Sequence, residues 1–317
     1  MIKITACICT YNRYDLLPIA IKSLEEQEST ASYEILVIDN SPINDEIKKY
    51  TEKYKNSSKV KFHWLETPGL SNARNYAVSV AKGEIIAFMD DDAIANTNWL
   101  DELIYAFESL DDDLVVCVGG RVIPIWESPR PTWLHDWLLG YVSVVDWGNA
   151  DKPRYAKDHE WMAGTNISFK VDFLKSHGLF DTKLGRNGDG KTLLSNEEIQ
   201  ISQNIKKNGF KTVYSERAYV DHLVPSNRLS QEWFRKRVLW QAISDFMING
   251  NSQMENMNDI KKYALDYMWS MPPGSRNVYS LFYDQNDPEL FLRQLKTVEI
   301  LIACILNEKH WINNEIT

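Results

Sequence analysis

Three consecutive carboxylates, Asp90, Asp91 and Asp92, follow directly after an apolar run from Ile85 to Met89. This short run, bounded by Gly83, is typical of a β-strand buried on both faces. The acids then lie at the carboxyl end of that strand, which is the edge where open α/β sheets bind ligands. Because adjacent carboxylates repel one another and lose hydration on burial, the triplet favours a bound divalent cation. The alternative is a solvated acidic turn, or the N-cap of the helix that follows.

Two further groups of carboxylates occupy positions where they could do chemistry. Asp39 ends the second predicted strand, so Asp39 and Asp90 should lie on one rim of the sheet. Glu197 and Glu198 open a helix that is predicted to run to about residue 207. A carboxylate within hydrogen-bond reach of a hydroxyl can act as a general base. The sequence therefore predicts acids on one rim and a separate carboxylate pair on a helix.

The elements that must position these acids alternate along the first part of the chain. Apolar runs predict strands over five segments: 2–9, 35–38, 59–64, 85–89 and 114–118. Helical spacing predicts helices near 17–24, 72–82 and 98–110. This alternation is typical of βαβ units, so we expect an α/β fold with a mostly parallel central sheet and helices on both faces. No glycine-rich phosphate loop or dinucleotide turn follows the first strand.

The second half of the chain has a different pattern. Strands are predicted over 161–169, 212–215 and 218–220, and helices over 230–249, 257–269 and 288–306. We expect one main domain over residues 1–226 and a helical C-terminal extension over 227–317. Residues 120–160 form an insertion rich in Pro and Trp. Its aromatic faces could stack on sugar rings or touch lipid, and the alternative is a small satellite core.

Composition excludes several classes of protein. The 317 residues carry a net charge of -9, with basic residues scattered, so nucleic acid is not an expected partner. The four cysteines make no metal motif and fit a reducing compartment. No apolar run reaches the roughly 20 residues that a membrane span needs. We expect a cytoplasmic location, and peripheral contact at the inner face of the membrane is the one membrane arrangement left open.

Five motifs in order resemble those of a known family. They are Cys9-Thr10-Tyr11-Asn12-Arg13, Val37-Ile38-Asp39-Asn40-Ser41, Gly69-Leu70-Ser71-Asn72-Ala73-Arg74-Asn75, Asp90-Asp91-Asp92 and Glu197-Glu198. Each stands at a strand end or a helix start, and together they are similar to the motifs of family 2 glycosyltransferases, which have the GT-A fold. The resemblance covers roughly residues 1–225. It implies inverting transfer of a sugar from a nucleoside diphosphate donor, with UDP as the expected nucleotide.

The resemblance also assigns roles to the acids and their neighbours. Nucleotide binding is expected from seven residues: Thr10, Tyr11, Arg13, Asp39, Arg74, Asp90 and Asp91. Asp92 is the expected metal ligand, together with Asp90. Oxygen ligands and a diphosphate suit Mn²⁺ or Mg²⁺ better than zinc. A divalent cation can stabilise the negative charge of the departing nucleoside diphosphate.

The catalytic base is predicted to be Glu198 or Glu197. An acceptor hydroxyl is a poor nucleophile and needs a carboxylate to take its proton. Many relatives have Glu-Asp at this place, with the second acid as the base, and this favours Glu198. However, Ser195-x-x-Glu198 also has the pattern of a capping box, in which Glu198 bonds back to the backbone of Ser195. Glu197 would then be the freer carboxylate.

Further site residues are carried over from the same resemblance. His222 ends a predicted strand and is expected as an additional metal ligand, with a structural histidine as the alternative. Arg237 is expected to meet the diphosphate, and the alternative is a surface charge on a helix. The segment that faces the donor sugar and the acceptor is expected to be Trp161, Gly164, Thr165 and Asn166, with a packed strand as the alternative.

The function predicted from the sequence is transfer of a sugar to a saccharide acceptor or a lipid-linked one, in the synthesis of surface polysaccharide or glycoconjugate. A nucleotidyltransferase is a second interpretation, although residues 9–13 lack the glycine-rich and basic phosphate loop that such enzymes use. A carbohydrate-binding protein with a retired site is the third. Its acids would have no reason to remain as a set.

Overall fold

The computed structural model describes residues 2–148, 151–188, 192–249, 262, 265–266 and 268–315, with side chains described up to residue 306. The chain forms two compact units. The first comprises Met1–Ile125, Ser143–Asp189 and Glu197–Leu223, and the second comprises Trp126–Val142, Gly190–Asn196 and Val224–Thr317. The helix predicted over 257–269 lies mostly outside the described residues.

Nine strands of the described residues form one sheet. They are β1 Ile4–Thr10, β2 Tyr33–Asp39, β3 Val60–Trp64, β4 Ile85–Asp90, β5 Ala93–Ala95, β6 Val115–Trp126, β7 Arg154–Tyr155, β8 Asn166–Lys170 and β9 Lys211–Val224. Their order is β3-β2-β1-β4-β8-β6-β9-β5, and β7 pairs with β9. The predicted α/β fold is therefore present, with the N-terminal strands at one side of the sheet.

The first four strands of this order are parallel, and their ends bring two of the acids together. In the register of the sheet, Thr10 lies opposite Asp39 on β2 and Cys9 lies opposite Asp90 on β4. The carboxyl ends of parallel strands meet at one edge, so Asp39 and Asp90 flank the end of β1 on the same rim. The apolar run Ile85–Met89 is buried throughout, as its composition predicts.

The sheet is mixed rather than mostly parallel, which differs from the prediction. β8 runs antiparallel to both β4 and β6, and β5 and β7 run antiparallel to β9. β6 therefore runs in the direction of β4, as the alternating pattern predicts, but β8 lies between them. The apolar runs could not reveal this order, because strands pair through backbone groups and any apolar strand can take the central place.

Eight helices are described. They are α1 Leu17–Glu25, α2 Asp45–Tyr54, α3 Leu70–Val80, α4 Trp99–Glu108, α5 Val171–His177, α6 Glu197–Lys207, α7 Gln231–Asn249 and α8 Pro288–Glu315. The helix α2 was not predicted from the sequence. In the structure Asn44 caps it by accepting a hydrogen bond from the backbone N–H of Ile47 at 3.0 Å. Ile47, Tyr50 and Tyr54 are buried at helical spacing. These signals were present but were hidden among many charged residues.

β9 is one long strand, whereas the sequence predicted two short ones over 212–215 and 218–220. The polar residues Glu216 and Arg217 lie between these two segments. In the structure they continue the strand, and the side chain of Glu216 lies 3.6 Å from that of Arg121. Near the end of this strand, β5 pairs with β9 and places Ala93 opposite His222.

The second unit has its own apolar core. The ring of Trp133 packs edge-on against Phe234 of α7 and Phe291 of α8, at centroid distances of 5.6 and 5.1 Å. For this tryptophan the satellite-core interpretation of the insertion is correct. Trp137, in contrast, is 81% exposed. None of the helices in the described part of the chain is both long and apolar enough to cross a membrane.

Candidate active site

Asp90, Asp92 and His222 form an acid–histidine cluster at the carboxyl rim of the first unit. The strand pair β5–β9 places Ala93 opposite His222, which brings the imidazole beside Asp92. Nε2 of His222 lies 3.3 Å from Oδ1 of Asp92, and one ligand atom from each of the three residues lies within 4.8 Å of the others. Two carboxylates and an imidazole at this spacing can bind a divalent cation.

Burial strengthens the case that this cluster holds a cation. His222 is 1% exposed, and its Nδ1 has no hydrogen-bond partner among the described residues. Asp92 is also buried, and Oδ2 of Asp92 lies 3.1 Å from the guanidinium of Arg13, which follows β1. Arg13 is partly exposed. Because buried carboxylates need a countercharge, Arg13 balances part of the charge that a cation would balance.

Asp91 takes a different direction from its two neighbours. Its carboxylate accepts a hydrogen bond of 2.6 Å from the hydroxyl of Thr10 at the end of β1. Burial, together with the adjacent Asp92, raises the pKa of Asp91 to about 7. Asp91 therefore fixes the turn after β4 to β1, and the acid–histidine cluster uses the first and third members of the triplet.

Asp39 is the centre of a buried polar group on the same rim. It is completely buried, and it accepts hydrogen bonds from the hydroxyl of Tyr14 at 2.7 Å and from the backbone N–H of Ser41 at 2.9 Å. The hydroxyl of Ser41 also donates to it, and this hydroxyl accepts from the backbone N–H of Asn12 at 2.8 Å. Asn12 has a positive φ of 54°. The group thus shapes the two loops that follow β1 and β2.

Tyr14 and Asn44 belong to this polar group, and the sequence reading did not single them out. The amide nitrogen of Asn44 donates to the hydroxyl of Tyr14 at 3.1 Å. The position of Asn44 before α2 was a readable N-cap signal. The link between Tyr14 and Asp39 had no such signal, because it depends on how α1 packs beside β2. Tyr11 is one of the residues predicted to bind the nucleotide. Its ring lies next to Gly188, where a Cβ atom would come within 2.7 Å of the ring.

Arg74 lies on α3 and is 2% exposed. Its Nη1 donates to Oε1 of Glu197 at 2.9 Å, its Nη2 donates to the carbonyl oxygen of Gly164 at 3.2 Å, and Nη2 lies 3.9 Å from Oδ1 of Asp90. The family resemblance implied that Arg74 lies near the nucleobase or the diphosphate of the donor. The structure places the guanidinium between Asp90 on the rim and Glu197 of the carboxylate pair, and the role of Arg74 in nucleotide binding stays a prediction.

Glu197 and Glu198 begin α6, directly after Asn196 with a positive φ of 78°. Oε2 of each has no hydrogen-bond partner among the described residues, and both atoms are buried. Burial and the charge of Glu197 raise the pKa of Glu198 to about 8. The capping box is not formed, because the backbone N–H of Ser195 donates to the hydroxyl of Ser244 at 3.2 Å. Capping of α6 by Glu198 is therefore no reason to prefer Glu197 as the catalytic base.

The segment predicted to face the sugars is tightly integrated into the sheet. Asn166 is completely buried, and its side-chain oxygen accepts from Nε1 of Trp99 at 2.9 Å. The hydroxyl of Thr165 donates to Asp90 at 2.5 Å. Gly164 has no space for a side chain, since a Cβ there would lie 2.5 Å from Nη2 of Arg74. These contacts position the rim, and Asn166 in particular is a packing residue of β8.

Trp161 and Arg237 are the remaining predicted site residues. Trp161 is partly exposed, its ring meets Trp147 edge-on at 6.4 Å, and its carbonyl oxygen accepts from Nε1 of Trp147. Arg237 belongs to the second unit, where it donates to the hydroxyl of Ser195 at 3.2 Å and lies over the ring of Tyr141.

Solved structures share the fold. A mannosyltransferase from Pyrobaculum calidifontis, solved with GDP-Man and Mn²⁺, aligns with a TM-score of 0.58 at 18% identity and covers 96% of this chain and 86% of its own. GalNAc-T7, solved with UDP, GalNAc and Mn²⁺, aligns with a TM-score of 0.57 at 16% identity over 92% of this chain and 56% of its own. A mixed sheet with acids on its carboxyl rim, in this topology, defines a GT-A glycosyltransferase fold.

The sequence defines the family. The pattern of glycosyl transferase family 2 matches residues 5–169, just over half of the 317 residues, and the chain belongs to that family. A glucosyl-dolichyl phosphate glucuronosyltransferase from Haloferax volcanii is 27% identical over 251 residues, which is 76% of each chain. A poly(ribitol-phosphate) β-N-acetylglucosaminyltransferase from Staphylococcus aureus is 28% identical over 131 residues, 39% of this chain and 23% of its own. The glycosyltransferase prediction is confirmed against the nucleotidyltransferase interpretation.

Proposed function

We propose that this protein is a metal-dependent, inverting glycosyltransferase that moves a sugar from a nucleoside diphosphate to a saccharide hydroxyl. One observation carries the proposal. A single buried guanidinium, that of Arg74, approaches both Asp90 of the acid–histidine cluster and Glu197 of the carboxylate pair. The reaction requires stabilisation of the negative charge on the leaving diphosphate and removal of the proton from the acceptor hydroxyl. The acid–histidine cluster and the carboxylate pair, which can supply these, lie on either side of Arg74.

The acid–histidine cluster would hold the metal. Asp90, Asp92 and His222 offer two oxygens and one nitrogen, so oxygens of the diphosphate and water would complete the coordination of a six-coordinate ion. An imidazole ligand suits Mn²⁺ better than Mg²⁺, which takes oxygen ligands. When bound, such an ion supplies Lewis-acid stabilisation of the charge that develops on the leaving diphosphate.

Glu198 is the proposed base. Glu197 forms an ion pair with Arg74 through its Oε1. Oε2 of Glu198 is buried without a partner among the described residues, as is Oε2 of Glu197. A carboxylate with a raised pKa binds a proton more strongly than an ordinary one, so Glu198 is suited to take the proton of an acceptor hydroxyl. The proposal predicts that activity increases as the pH rises toward 8, because only the ionised form can accept the proton.

Arg13 and the group around Asp39 are proposed to form the nucleotide side of the site. Arg13 is partly exposed next to Asp92, where its guanidinium can meet a phosphate oxygen. Asp39, with Tyr14 and Ser41, organises the loops after β1 and β2 that would enclose the nucleoside. UDP is the proposed nucleotide, as the family resemblance implies.

The acceptor is proposed to be a lipid-linked or surface saccharide. The relative from Haloferax volcanii, which aligns over 76% of both chains, is named for a dolichyl phosphate substrate. A lipid-linked acceptor would bring the protein to a membrane surface, and the second unit exposes the aromatic residues Trp269, Tyr279 and Phe282. Co-sedimentation with phospholipid vesicles tests this part, and protein that stays in the supernatant at every lipid concentration would remove it.

The proposed function is tested by incubating the protein with UDP-, GDP- and other nucleotide sugars, together with saccharide acceptors. Release of the nucleoside diphosphate in the presence of Mn²⁺, loss of that release with EDTA, and a product anomer opposite to that of the donor are expected. Release that EDTA leaves unchanged would contradict the metal requirement. A retained anomeric configuration would contradict direct attack by a hydroxyl that Glu198 deprotonates.

A further inference from the structure

Arg74 is unusually enclosed for a guanidinium on the rim of an active site. It is 2% exposed, and its terminal carbon lies 5.5 Å from the ring centre of Phe88 and 5.4 Å from that of Phe180. A charged group held between two aromatic rings is fixed in direction and stripped of water. Burial of this charge therefore costs free energy unless neighbouring groups form ion pairs or hydrogen bonds with it.

The contacts of Arg74 join three separate segments of the first unit. One nitrogen binds Glu197 at the start of α6, and the other binds the carbonyl oxygen of Gly164 and approaches Asp90. The glycine is required, because a Cβ at position 164 would lie 2.5 Å from the guanidinium. Both terminal nitrogens thus have protein partners, which leaves no terminal nitrogen dedicated to a nucleotide.

The charges around Arg74 do not balance. Its single positive charge interacts with the carboxylates of Glu197, Glu198 and Asp90. Burial and the neighbouring Glu197 raise the pKa of Glu198 to about 8, and the charge of Arg74 acts in the opposite sense. One guanidinium cannot neutralise three carboxylates, of which Glu197 is buried and Asp90 and Glu198 are partly exposed. The carboxylate nearest to it is that of Glu197, which it holds in an ion pair at 2.9 Å.

We propose that Arg74 is a positioning residue that binds Glu197 and thereby leaves Glu198 as the carboxylate that takes the proton of the acceptor hydroxyl. This inference rests on the proposed function. In the step concerned, the acceptor oxygen forms a bond to the anomeric carbon while the bond from that carbon to the diphosphate oxygen breaks. The electron pair leaves with the diphosphate, and the proton moves from the acceptor oxygen to Glu198.

Two substitutions with opposite electrostatic effects test the proposal. Arg74→Met removes the positive charge that favours the ionised form of Glu198, so the acid limb of kcat/KM against pH should move up by about one unit or more. Glu197→Gln removes the negative charge that disfavours it, so the limb should move down. Arg74→Lys keeps the charge and should leave the limb near its wild-type position. A purely structural role would lower activity equally at every pH.

Folding must be controlled, because breaking a buried ion pair is strongly destabilising. The double variant Arg74→Met/Glu197→Gln removes both charges, so its melting temperature should exceed that of Arg74→Met alone. The melting temperature of each variant is also measured from pH 5 to pH 10. In Arg74→Met the fall in stability that accompanies ionisation of Glu198 should continue to higher pH than in the wild type.

The outcomes separate this inference from the proposed function. If Arg74→Met raises the KM for the donor and leaves both pH curves in place, Arg74 contacts the nucleotide and the inference is wrong. Displacement of the pH curves in the same direction by Arg74→Met and Glu197→Gln would also overturn it. If the wild-type protein transfers no sugar, the proposed function fails, whereas the melting curves still report how Arg74 acts on Glu198.

Discussion

Two groups of acids in the first unit have the same ingredients and different surroundings. Asp90 and Asp92 share their space with an imidazole, and a partly exposed arginine lies beside Asp92. Glu197 and Glu198 share theirs with a fully buried arginine, and each keeps one buried oxygen without a partner among the described residues. The arrangement around Asp90 and Asp92 favours binding of a metal cation, whereas the arrangement around Glu197 and Glu198 favours binding of a proton. Carboxylates alone do not define a chemistry, because the neighbouring groups decide what they bind.

The largest effect is expected from removing the proposed base. Glu198→Gln keeps the size and shape of the side chain but cannot accept a proton, so kcat should fall about 10²- to 10⁴-fold. Steady-state assays with a saturating donor measure this. The matched control is Glu197→Gln, which should retain more activity at neutral pH. A greater loss in Glu197→Gln than in Glu198→Gln would assign the base to Glu197.

The next effect is expected at the acid–histidine cluster. Asp92→Ala removes a proposed metal ligand, and the loss of several kcal/mol of charge stabilisation should lower kcat/KM at least about 100-fold. The fold should remain intact by circular dichroism. Asp158→Ala, at a carboxylate whose side chain is fully exposed, is the control and should behave as the wild type. Full activity in Asp92→Ala would remove this residue from the metal site.

A smaller effect is expected at the third member of that cluster. His222→Gln keeps a polar side chain on β9 but replaces the imidazole, so the Mn²⁺ concentration needed for half-maximal activity should rise about 10-fold. The maximal rate at saturating Mn²⁺ should change less. A titration of activity with Mn²⁺ measures both. An unchanged titration curve would identify His222 as a structural residue that supports Asp92.

The smallest expected effect concerns stability and pH. The pKa of Glu198 is about 8 in the folded protein and lies above its ordinary value, so the folded state holds this proton more tightly. The resulting stabilisation is present below about pH 4.5 and is lost as the pH rises toward 8. The fall in melting temperature between pH 5 and pH 9 should therefore be shallower in Glu198→Gln. An identical slope in the two proteins would contradict the raised pKa.

The sequence predicted the first acid group better than the second. The apolar run before Asp90 identified a buried strand, and the carboxyl ends of parallel strands meet on one rim, so the position of the triplet followed from local pattern. His222 was expected only through the family resemblance. Its contact with Asp92 depends on the pairing of β5 with β9, and no spacing along the chain reveals such pairing.

The surroundings of Glu197 show why the rest could not be predicted. Arg74 is separated from Glu197 by more than a hundred residues, and its contact depends on a glycine at 164 that leaves room for the guanidinium. Local pattern gave a capping box instead, which the structure does not contain. The C-terminal helices α7 and α8 were predicted from their apolar spacing, whereas nothing in the sequence indicated that residues 126–142 belong to the same unit as those helices. The predicted domain boundary at residue 226 stays a prediction.

The most direct test of this division is the melting temperature of three proteins with nucleoside diphosphates, each in Mn²⁺ and in EDTA. A ligand that binds only the folded state raises the melting temperature. The wild type and Glu198→Gln should both show a metal-dependent rise with the same diphosphate, and Asp92→Ala should not. Loss of the rise in Glu198→Gln, or its retention in Asp92→Ala, would contradict the assignment of the metal to one acid group and the proton to the other.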